Sequence, residues 1–444
     1  MGDAVVGIIG MGDMGKMYAR RISRAGWRVL ACDLPTKTAA LEAEFSDNVG
    51  LIEASSVESN NVSILKDGYE VSRASDWIMY FVEAKNIRAI VADYGRSTKK
   101  NAIVGGQTST KAPEIAAFER YLPADVDIIS CHSLHGPGVD PKGQPLVIIK
   151  HRVQRQESAD LVQRILSCMD SNIVHLSAEE HDRITADTQA VTHAAFLSMG
   201  SAWHANKQFP WEIPRYVGGI ENVKINLMMR IYSNKWHVYA GLAILNPAAK
   251  IQIKQYSDSV TEIYALMVEN KREELTKRIY DARAKVFGQP REDDEGLLLQ
   301  DDLLDRFSLS KKPAVRHPNN HLSLLAMVDC WSELDINPYE HMICSTPLFR
   351  LWLGITEYVF RKPGLLDECI DTAIENLTFR SDDLKFTLAA SAWSNVVSSG
   401  NMEAYREKFE EVQTYFESSF VEATKVGNEM IKTIEVGLRS RKTT

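Results

Sequence analysis

The sequence predicts an α/β protein in which a Rossmann-type dinucleotide-binding domain is followed by an all-α domain. Three observations point to this class. Strand and helix patterns alternate through the first part of the chain, strand patterns stop at about residue 178, and a glycine motif separates the first strand from the first helix. Alternating strands and helices favour a parallel sheet covered on both faces, whereas a long helical remainder packs on itself.

The first predicted element is the apolar run "AVVGIIG" at residues 4–10, which is typical of a strand buried on both faces. A helix is predicted at residues 14–26, because its apolar residues fall on one side and its arginines on the other. Further strands are predicted, in chain order, at residues 27–33, 76–84, 101–109, 127–130 and 145–151. We expect them to form one doubly wound parallel sheet, in a domain that spans residues 1–177.

The glycine motif reads Gly10-x-Gly12-x-x-Gly15 and lies between a strand and a helix, with Asp33 closing the next strand. Without that context it would be no more than a Gly-rich turn. With it, the motif predicts a tight turn and a helix N-terminus that binds a pyrophosphate. The predicted cofactor-binding residues are Gly10, Met11, Gly12, Asp13, Met14, Gly15, Asp33, Lys37 and Val82.

The stretch "CHSLHGPG" at residues 131–138 places His132 and His135 beside a Gly-Pro-Gly turn, directly after a predicted strand. Ligands of doubly wound sheets bind beyond the carboxyl ends of the strands, so this stretch faces the same crevice as the dinucleotide. Position alone leaves two interpretations of His132 open. It is either a catalytic group or a histidine that bonds a nearby carbonyl.

Composition excludes several classes of protein. A formal net charge of -8 argues against a nucleic-acid surface, and the chain lacks an uncharged apolar run long enough to cross a membrane. The first residues do not resemble a secretory signal. The six cysteines are scattered without a CxxC pair, so we expect no structural zinc site, reduced thiols and a cytosolic protein.

The helical remainder begins with a predicted capping box, in which Ser177 caps a helix and Glu180 bonds back to it. We divide it into a first helical unit at 178–290, a charged linker at 291–318 and a second helical unit at 319–444. The stretches "THAAFLSMGSAW" and "NHLSLLAMVDCW" share His, Leu, Met and Trp at the same offsets. They indicate a tandem helical repeat, with chance similarity between two amphipathic helices as the alternative.

Four stretches carry a resemblance to a known family: "GIIGMGDMG", "VGGQTSTKAPEI", "HSLHGP" and "EEHDRITADTQAVTHAAFLSMGSAW". The chain resembles prephenate dehydrogenases, most closely the long fungal NADP-dependent enzymes of tyrosine biosynthesis. The resemblance implies oxidative decarboxylation of prephenate to 4-hydroxyphenylpyruvate. It also implies NADP, although Asp33 by itself favours NAD, because a carboxylate there disfavours a 2′-phosphate. Lys37 lies nearby and partly offsets that charge.

The resemblance also implies roles for individual residues. His132 matches the family's catalytic histidine, although Ser133 stands where bacterial members have proline. Ser109 matches a serine that bonds the same substrate hydroxyl, and His193 matches a histidine near the substrate. A neutral imidazole suits the role of His132, because a base that accepts the hydroxyl proton stabilises the charge that develops as hydride leaves.

One departure concerns the arginine that holds the ring carboxylate in bacterial members. The matching positions are about Gly241 in the first helical unit and about Tyr358 in the second, and neither is basic. The carboxylate must therefore be held elsewhere, and the sequence does not choose between two helices. The candidates are Arg230, Lys235 and His237 in the first unit, and Arg350 and Arg361 in the second.

Three other functions compete with prephenate dehydrogenase. An arogenate dehydrogenase would differ only in the amine of its substrate, and a dinucleotide-sensing protein would need no positioned base. A β-hydroxyacid dehydrogenase is disfavoured, because residues 178–206 contain no lysine. If the repeat is real, the two helical units form an internal pseudo-dimer with one active site per chain, and further homodimerisation stays open.

Overall fold

The computed structural model describes residues 4–46, 61–288, 309 and 317–441. The chain divides into two compact units, residues 1–183 and 184–444. The division therefore falls a few residues after the predicted boundary at 177, because the helix that starts at Ala178 contributes its first residues to the first unit. Most of the predicted linker at 291–318 lies outside the described residues.

Within the described residues, the first unit contains one eight-stranded sheet in the order β3-β2-β1-β4-β5-β6-β7-β8. The strands are β1 Val5–Ile9, β2 Arg28–Cys32, β3 Val62–Ile64, β4 Trp77–Tyr80, β5 Ile103–Gly106, β6 Asp127–Ser133, β7 Pro145–Arg152 and β8 Asn172–His175. The helices are α1 Asp13–Arg24, α2 Thr38–Ser46, α3 Gly68–Ala74, α4 Ile87–Tyr94, α5 Lys111–Tyr121 and α6 Gln156–Leu166. The predicted Rossmann-type class is confirmed. Because β1, β4, β5 and β6 are parallel neighbours, their carboxyl ends lie at one edge.

The expectation of an entirely parallel sheet was wrong for β7, which pairs antiparallel with β6. The connection at residues 134–144 is short and rich in glycine and proline, so it cannot supply the crossover helix that a parallel strand requires. Pairing of Ser133 with Leu146 also carries β6 beyond the predicted end at residue 130. His132 therefore lies within a paired strand and not in the turn behind it.

Two edge strands were missed in the sequence. The three-residue β3 lies outside β2, and β8 lies outside β7. Each has exposed or half-buried positions where a central strand would be apolar throughout. A short edge strand leaves a weak pattern, because only its paired side and one face are covered.

The second unit is helical over its described residues. Helix α7, Ala178–Thr185, continues through a π-helical turn at Ala186–Val191 into α8, Thr192–Ala205. The predicted capping box is present, since the Ser177 hydroxyl accepts from the Glu180 N–H at 3.1 Å and Glu180 accepts from the Ser177 N–H at 2.8 Å. The following helices are α9 Gly219–Tyr232, α10 Trp236–Ile244, α11 Pro247–Val268 and α12 Arg272–Phe287.

After the undescribed segment, a second series of helices follows in the same order. They are α13 Leu322–Glu333, α14 Pro347–Arg361, α15 Leu365–Glu375, α16 Arg380–Ser399 and α17 Met402–Phe416, before a last helix, α18 Phe420–Arg441. Helices α8 to α12 correspond in order and approximate length to α13 to α17. The long α11 and α16 pack on each other, α8 packs on α16, and α13 packs on α11. This reciprocal exchange is what two copies related by a two-fold axis produce.

Membrane crossing has no support in the described residues, where no helix combines enough length with enough apolar character to span a bilayer.

Candidate active site

The glycine loop between β1 and α1 has the geometry of a pyrophosphate site. Gly10 has a φ of 103°, and a Cβ atom there would lie 2.3 Å from the carbonyl oxygen of Phe81. A Cβ atom at Gly15 would lie 2.1 Å from the carbonyl oxygen of Gly10. A Cβ atom at Gly12 would meet nothing within 4 Å, so the space above the loop is open. The loop can therefore approach a phosphate closely at the start of α1.

Asp33, at the end of β2, is already hydrogen-bonded by the protein. Its carboxylate accepts the N–H groups of Met11 and Leu34, each at 2.7 Å. The ammonium of the exposed Lys37 lies 3.2 Å from the same carboxylate. Val82 contacts the other side of the loop, because its side chain lies 3.4 Å from the Cβ position of Gly10. Asp33 therefore shares its charge with Lys37, which weakens its repulsion of a 2′-phosphate.

His132 lies near the carboxyl end of β6 and is 7% exposed. Its Nδ1 atom lies 2.8 Å from Nε2 of His181, whose Nδ1 lies 2.9 Å from Oδ1 of Asp182. Burial holds the pKa of His132 well below its usual range, and the nearby His181, Lys111 and His135 lower it further. His132 is therefore unprotonated at neutral pH, as a general base must be.

Asp182 connects this histidine pair to α5. Its two oxygens accept the N–H groups of Lys111 and Ala112 at 2.7 and 2.8 Å, which are the first backbone donors of that helix. A carboxylate at a helix N-terminus satisfies unpaired N–H groups and is stabilised by the helix dipole. The position of Asp182 is thus set by the backbone of α5.

Lys111 connects α5 to the strand that carries His132. Its fully buried ammonium donates to the carbonyls of Gly106 and Cys131 and to Glu114, at 3.1, 2.9 and 2.9 Å. The carboxylate of Glu114 also accepts the Ser130 hydroxyl and both the N–H and the hydroxyl of Thr108. Because these bonds use all three ammonium hydrogens, the buried charges are compensated and the backbone next to His132 is held in place.

Ser133 occupies the position where bacterial relatives have proline, and its backbone explains the difference. The Ser133 N–H donates to Oε1 of Gln107 at 3.0 Å, a bond that proline could not make. Its hydroxyl lies 2.5 Å from the hydroxyl of Tyr18 on α1, which also accepts from the Gln107 amide. The helix after the glycine loop is therefore bonded directly to the residue after His132.

Ser109 is half-buried in the β5–α5 loop, which the Lys111 bond to Cys131 holds against β6. The structure thus brings the loop of Ser109 and the strand of His132 together in the first unit. His135 bonds the carbonyl of Gly136 through Nδ1 at 2.9 Å, while its buried Nε2 has no hydrogen-bond partner among the described residues. It acts on His132 through charge.

His193 belongs to the second unit, on the first turn of α8. Its ring packs edge-on against Tyr239 with centroids 4.8 Å apart, and its buried Nδ1 has no hydrogen-bond partner within the described part of the chain. Burial alone lowers the pKa of His193 to about 3. An uncommitted polar atom in a buried ring is costly unless a ligand or water meets it.

The carboxylate candidates differ in how far their donors are already used. Arg361 donates to the carbonyl of Phe287 at 3.1 Å and pairs with Glu357, and Arg350 donates to the carbonyl and hydroxyl of Ser345. Arg230 bonds the side chain of Asn428, and its charge opposes the effect of burial, which raises the pKa of Tyr239 to about 12. Lys235 is exposed and His237 half-buried at the start of α10.

Several residues of this site were not identified from the sequence. His181, Asp182, Lys111, Glu114, Gln107 and Tyr18 all support His132 or its neighbours. The adjacent polar pair in "EEHDR" was a signal for His181 and Asp182, but on an amphipathic helix it reads as an exposed face. Asp187 and Gln189 were interpreted as core residues with satisfied hydrogen bonds, and Asp187 does bond Trp331 and His341.

The site can be compared with known proteins. A family model for the C-terminal domain of 6-phosphogluconate dehydrogenase and its relatives in tyrosine biosynthesis matches residues 190–436, and "NAD binding domain of 6-phosphogluconate dehydrogenase" matches residues 5–121. The chain is 57% identical over 428 residues to a Schizosaccharomyces pombe protein named "Probable prephenate dehydrogenase", NADP(+), covering 96% of each chain. It is 54% identical over 442 residues to the Saccharomyces cerevisiae "Prephenate dehydrogenase", NADP(+), covering 97% of this chain and 94% of the relative.

Among solved structures, the chain is similar to prephenate dehydrogenase from A. aeolicus in complex with hydroxyphenyl propionate and NAD+. The sequences are 17% identical, the TM-score is 0.49, and the match covers 64% of this chain and 98% of the other.

Proposed function

Because this chain belongs to the family of NADP-dependent prephenate dehydrogenases, we propose that it oxidises prephenate with NADP+ to give 4-hydroxyphenylpyruvate, CO2 and NADPH. The observation that carries the proposal is the buried, unprotonated His132 at the carboxyl edge of the sheet. A dinucleotide-sensing protein would need no such base. An arogenate dehydrogenase would, and it is distinguished by the substrate test below.

The cofactor site fits NADP+ on three features of the first unit. The open space at Gly12, the N-terminus of α1 and the Lys37 ammonium would hold the pyrophosphate and the 2′-phosphate. Asp33 does not oppose this, because two backbone N–H groups and Lys37 already share its charge. When bound, the nicotinamide supplies the acceptor for hydride.

His132 accounts for the proton in this reaction. As hydride leaves ring carbon C4 for the nicotinamide, the hydroxyl proton on the same carbon passes to Nε2 of His132, and the C–O bond becomes a carbonyl. The bond between the ring and its carboxylate then breaks, CO2 leaves, and the electron pair of that bond makes the ring aromatic. The phenolate oxygen takes the proton back from His132, so the reaction neither releases nor consumes a proton. Ser109 is the proposed second partner of the hydroxyl.

The second unit is proposed to hold the substrate. We assign His193 a contact with the substrate, because its buried Nδ1 has no hydrogen-bond partner among the described residues. Arg230 is the preferred carboxylate ligand, since its charge reaches Tyr239, which packs on His193. Arg350 and Arg361 are less suitable, because their guanidinium groups already donate to backbone carbonyls.

We also propose that the helical unit is an internal pseudo-dimer with one active site per chain. The matched order of helices α8–α12 and α13–α17, and the exchange in which α8 packs on α16 and α13 on α11, support it. The chain contains a single glycine motif of the dinucleotide-binding type. Superposing residues 180–287 on 319–420 tests the duplication, which fails if the helices do not overlay with the same connectivity. Homodimerisation through another surface is decided by sedimentation.

A cytosolic location is proposed from the thiols. All six cysteines are free, five of them buried, which suits a reducing compartment. Fractionation of the native cell, with the activity following a cytosolic marker, tests the location.

The activity itself is tested by absorbance at the NADPH band with purified protein. Four combinations are needed, namely prephenate or arogenate with NADP+ or NAD+. We expect the highest kcat/KM with prephenate and NADP+. Preference for arogenate would replace the substrate assignment, and no turnover with either substrate would favour a sensing role.

A further inference from the structure

We propose that His181 and Asp182 are positioning residues that fix the tautomer of His132, leaving the lone pair on its Nε2 atom to accept the substrate proton. The inference rests on the proposed function, in which His132 is the base. It adds two residues to the site and states which nitrogen of each histidine carries hydrogen.

The first step concerns Asp182. Its Oδ1 accepts the Lys111 N–H at 2.7 Å, and its Oδ2 accepts the Ala112 N–H at 2.8 Å. Both oxygens therefore act as acceptors, and the ring nitrogen of His181 that lies 2.9 Å from Oδ1 must be the donor. Asp182 thus places the hydrogen of His181 on Nδ1.

The second step passes from His181 to His132. Burial lowers the pKa of His181, so its ring is neutral and its Nε2 carries a lone pair. That atom lies 2.8 Å from Nδ1 of His132, which must then be the donor. His132 is also neutral, so the hydrogen on Nδ1 leaves Nε2 unprotonated. This is the less common tautomer of a free histidine side chain, and it has to be imposed.

The third step concerns rigidity, because the relay is part of a closed circuit of bonds. The backbone N–H of Lys111 holds Asp182, while its ammonium donates at 2.9 Å to the carbonyl of Cys131, the residue before His132. Both ends of the relay are thereby fixed to one residue at the start of α5. When Nε2 accepts a proton, His132 becomes an imidazolium whose Nδ1–H still has its acceptor. The carboxylate of Asp182 lies one ring further, where it offsets the new charge.

The direct test is isotope-edited nitrogen NMR of the apoprotein labelled at histidine, which distinguishes protonated from unprotonated ring nitrogens without turnover. His132→Asn and His181→Gln variants assign the two rings. We expect both rings to be protonated on Nδ1 and unprotonated on Nε2. A His132 ring protonated on Nε2 in the folded wild-type protein would overturn the proposal, whatever the variants do.

Kinetics of two variants supply the functional readout. His181→Phe keeps a ring but removes the acceptor, so kcat should fall by about 10- to 100-fold, a part of what general-base catalysis contributes, with KM for NADP+ unchanged. His181→Gln places an amide oxygen near the position of Nε2 and should restore kcat to within about 5-fold of wild type, because one neutral hydrogen bond is replaced by another. The matched control is His175→Phe, at an exposed histidine of the same unit, which should change nothing.

Each outcome decides one claim. A folded His181→Phe protein with wild-type kcat, or a His181→Gln protein as impaired as His181→Phe, would contradict the positioning role. If the wild-type protein forms no NADPH from prephenate, the proposed function fails instead, and the NMR spectrum still decides the tautomer.

Discussion

Each unit contains a buried aspartate bonded to a buried histidine, and the two pairs differ in where their bonds end. In the first unit, Asp182 accepts from Nδ1 of His181 at 2.9 Å, and the other ring nitrogen continues to His132. In the second unit, Asp187 accepts from Nδ1 of His341 at 2.8 Å, and its second oxygen accepts the indole N–H of Trp331 at 2.7 Å. One pair ends at the edge of the sheet, and the other ends in the core.

The difference separates a catalytic support from a structural bond. Asp187 precedes α8 in the first helical copy, whereas Trp331 and His341 belong to the second copy, so its bonds join the two copies. Asp182 is held by the backbone of α5 and directs its bonds toward a histidine at the carboxyl edge of β6. The same residue types and distances therefore serve chemistry or packing according to their third partner.

The largest effect is expected at the end of the first relay. His132→Asn removes the base, and kcat should fall by about 10²- to 10⁴-fold, the usual contribution of general-base catalysis, with NADP+ affinity nearly unchanged. Steady-state kinetics and cofactor titration measure the two quantities separately. A variant that keeps most of its kcat would show that the relay ends at a spectator histidine.

The second pair should affect stability instead. Asp187→Ala leaves the buried Trp331 indole and the His341 ring without their acceptor, which should lower the free energy of unfolding by about 3 kcal/mol. Urea unfolding measures this loss, and kcat of the folded protein should stay within about 3-fold, since no bond to the reacting atoms is lost. The control is Asp335→Ala, whose carboxylate is 88% exposed and pairs only with a surface lysine. Equal losses for the two variants would remove the structural role of Asp187.

Substrate binding by the second unit should appear as a split between KM and kcat. Arg230→Ala is expected to raise KM for prephenate by about 10- to 100-fold, because a hydrogen bond to a charged group contributes about 1.5–3 kcal/mol. The change in kcat should be much smaller, and KM for NADP+ should not move. Arg350→Ala is the comparison, since that guanidinium donates to Ser345. A larger KM effect at Arg350 would move the carboxylate site to the second copy.

Acid should destabilise the protein through its buried neutral histidines. The pKa of His193 is about 3 in the folded state and near 6.5 when unfolded. Between these values the unfolded chain binds more protons, so stability falls as pH drops below 6.5. This one residue should remove about 1.4 kcal/mol by pH 5.5. Urea midpoints at pH 8 and 5.5 (about 2.5 units apart) should therefore differ less in His193→Phe than in wild type, and an unchanged difference would contradict the buried neutral state.

The smallest effect is expected at the cofactor, which only the first unit contacts in this proposal. Lys37→Ala should raise KM for NADP+ by about 10-fold, at the low end for a charged hydrogen bond because Lys37 is exposed, and leave NAD+ nearly unchanged. Arg28→Ala, an exposed cation at the opposite end of β2, is the control. Equal effects on both cofactors would take Lys37 out of the 2′-phosphate site.

Local sequence determined much of the first unit and the division into two classes of structure. The apolar run of β1, the glycine motif and the placement of Asp33 are short-range patterns, and each has a direct conformational cause. The capping box at Ser177 and Glu180 formed as predicted for the same reason. His132 could be placed near the carboxyl edge because the strand before it was recognisable.

Only the tertiary structure decided what surrounds His132. His181 lies 49 residues away in the chain, and Lys111 reaches the Cys131 carbonyl across 20 residues. The antiparallel pairing of β7, the use of the Ser133 N–H by Gln107 and the joining of helical copies through Asp187 are likewise contacts between distant segments. Periodicity within one segment records which face is buried, but it does not record which distant residue covers that face. The base was therefore visible in the sequence, whereas its orientation depends on bonds that exist only after the chain has folded.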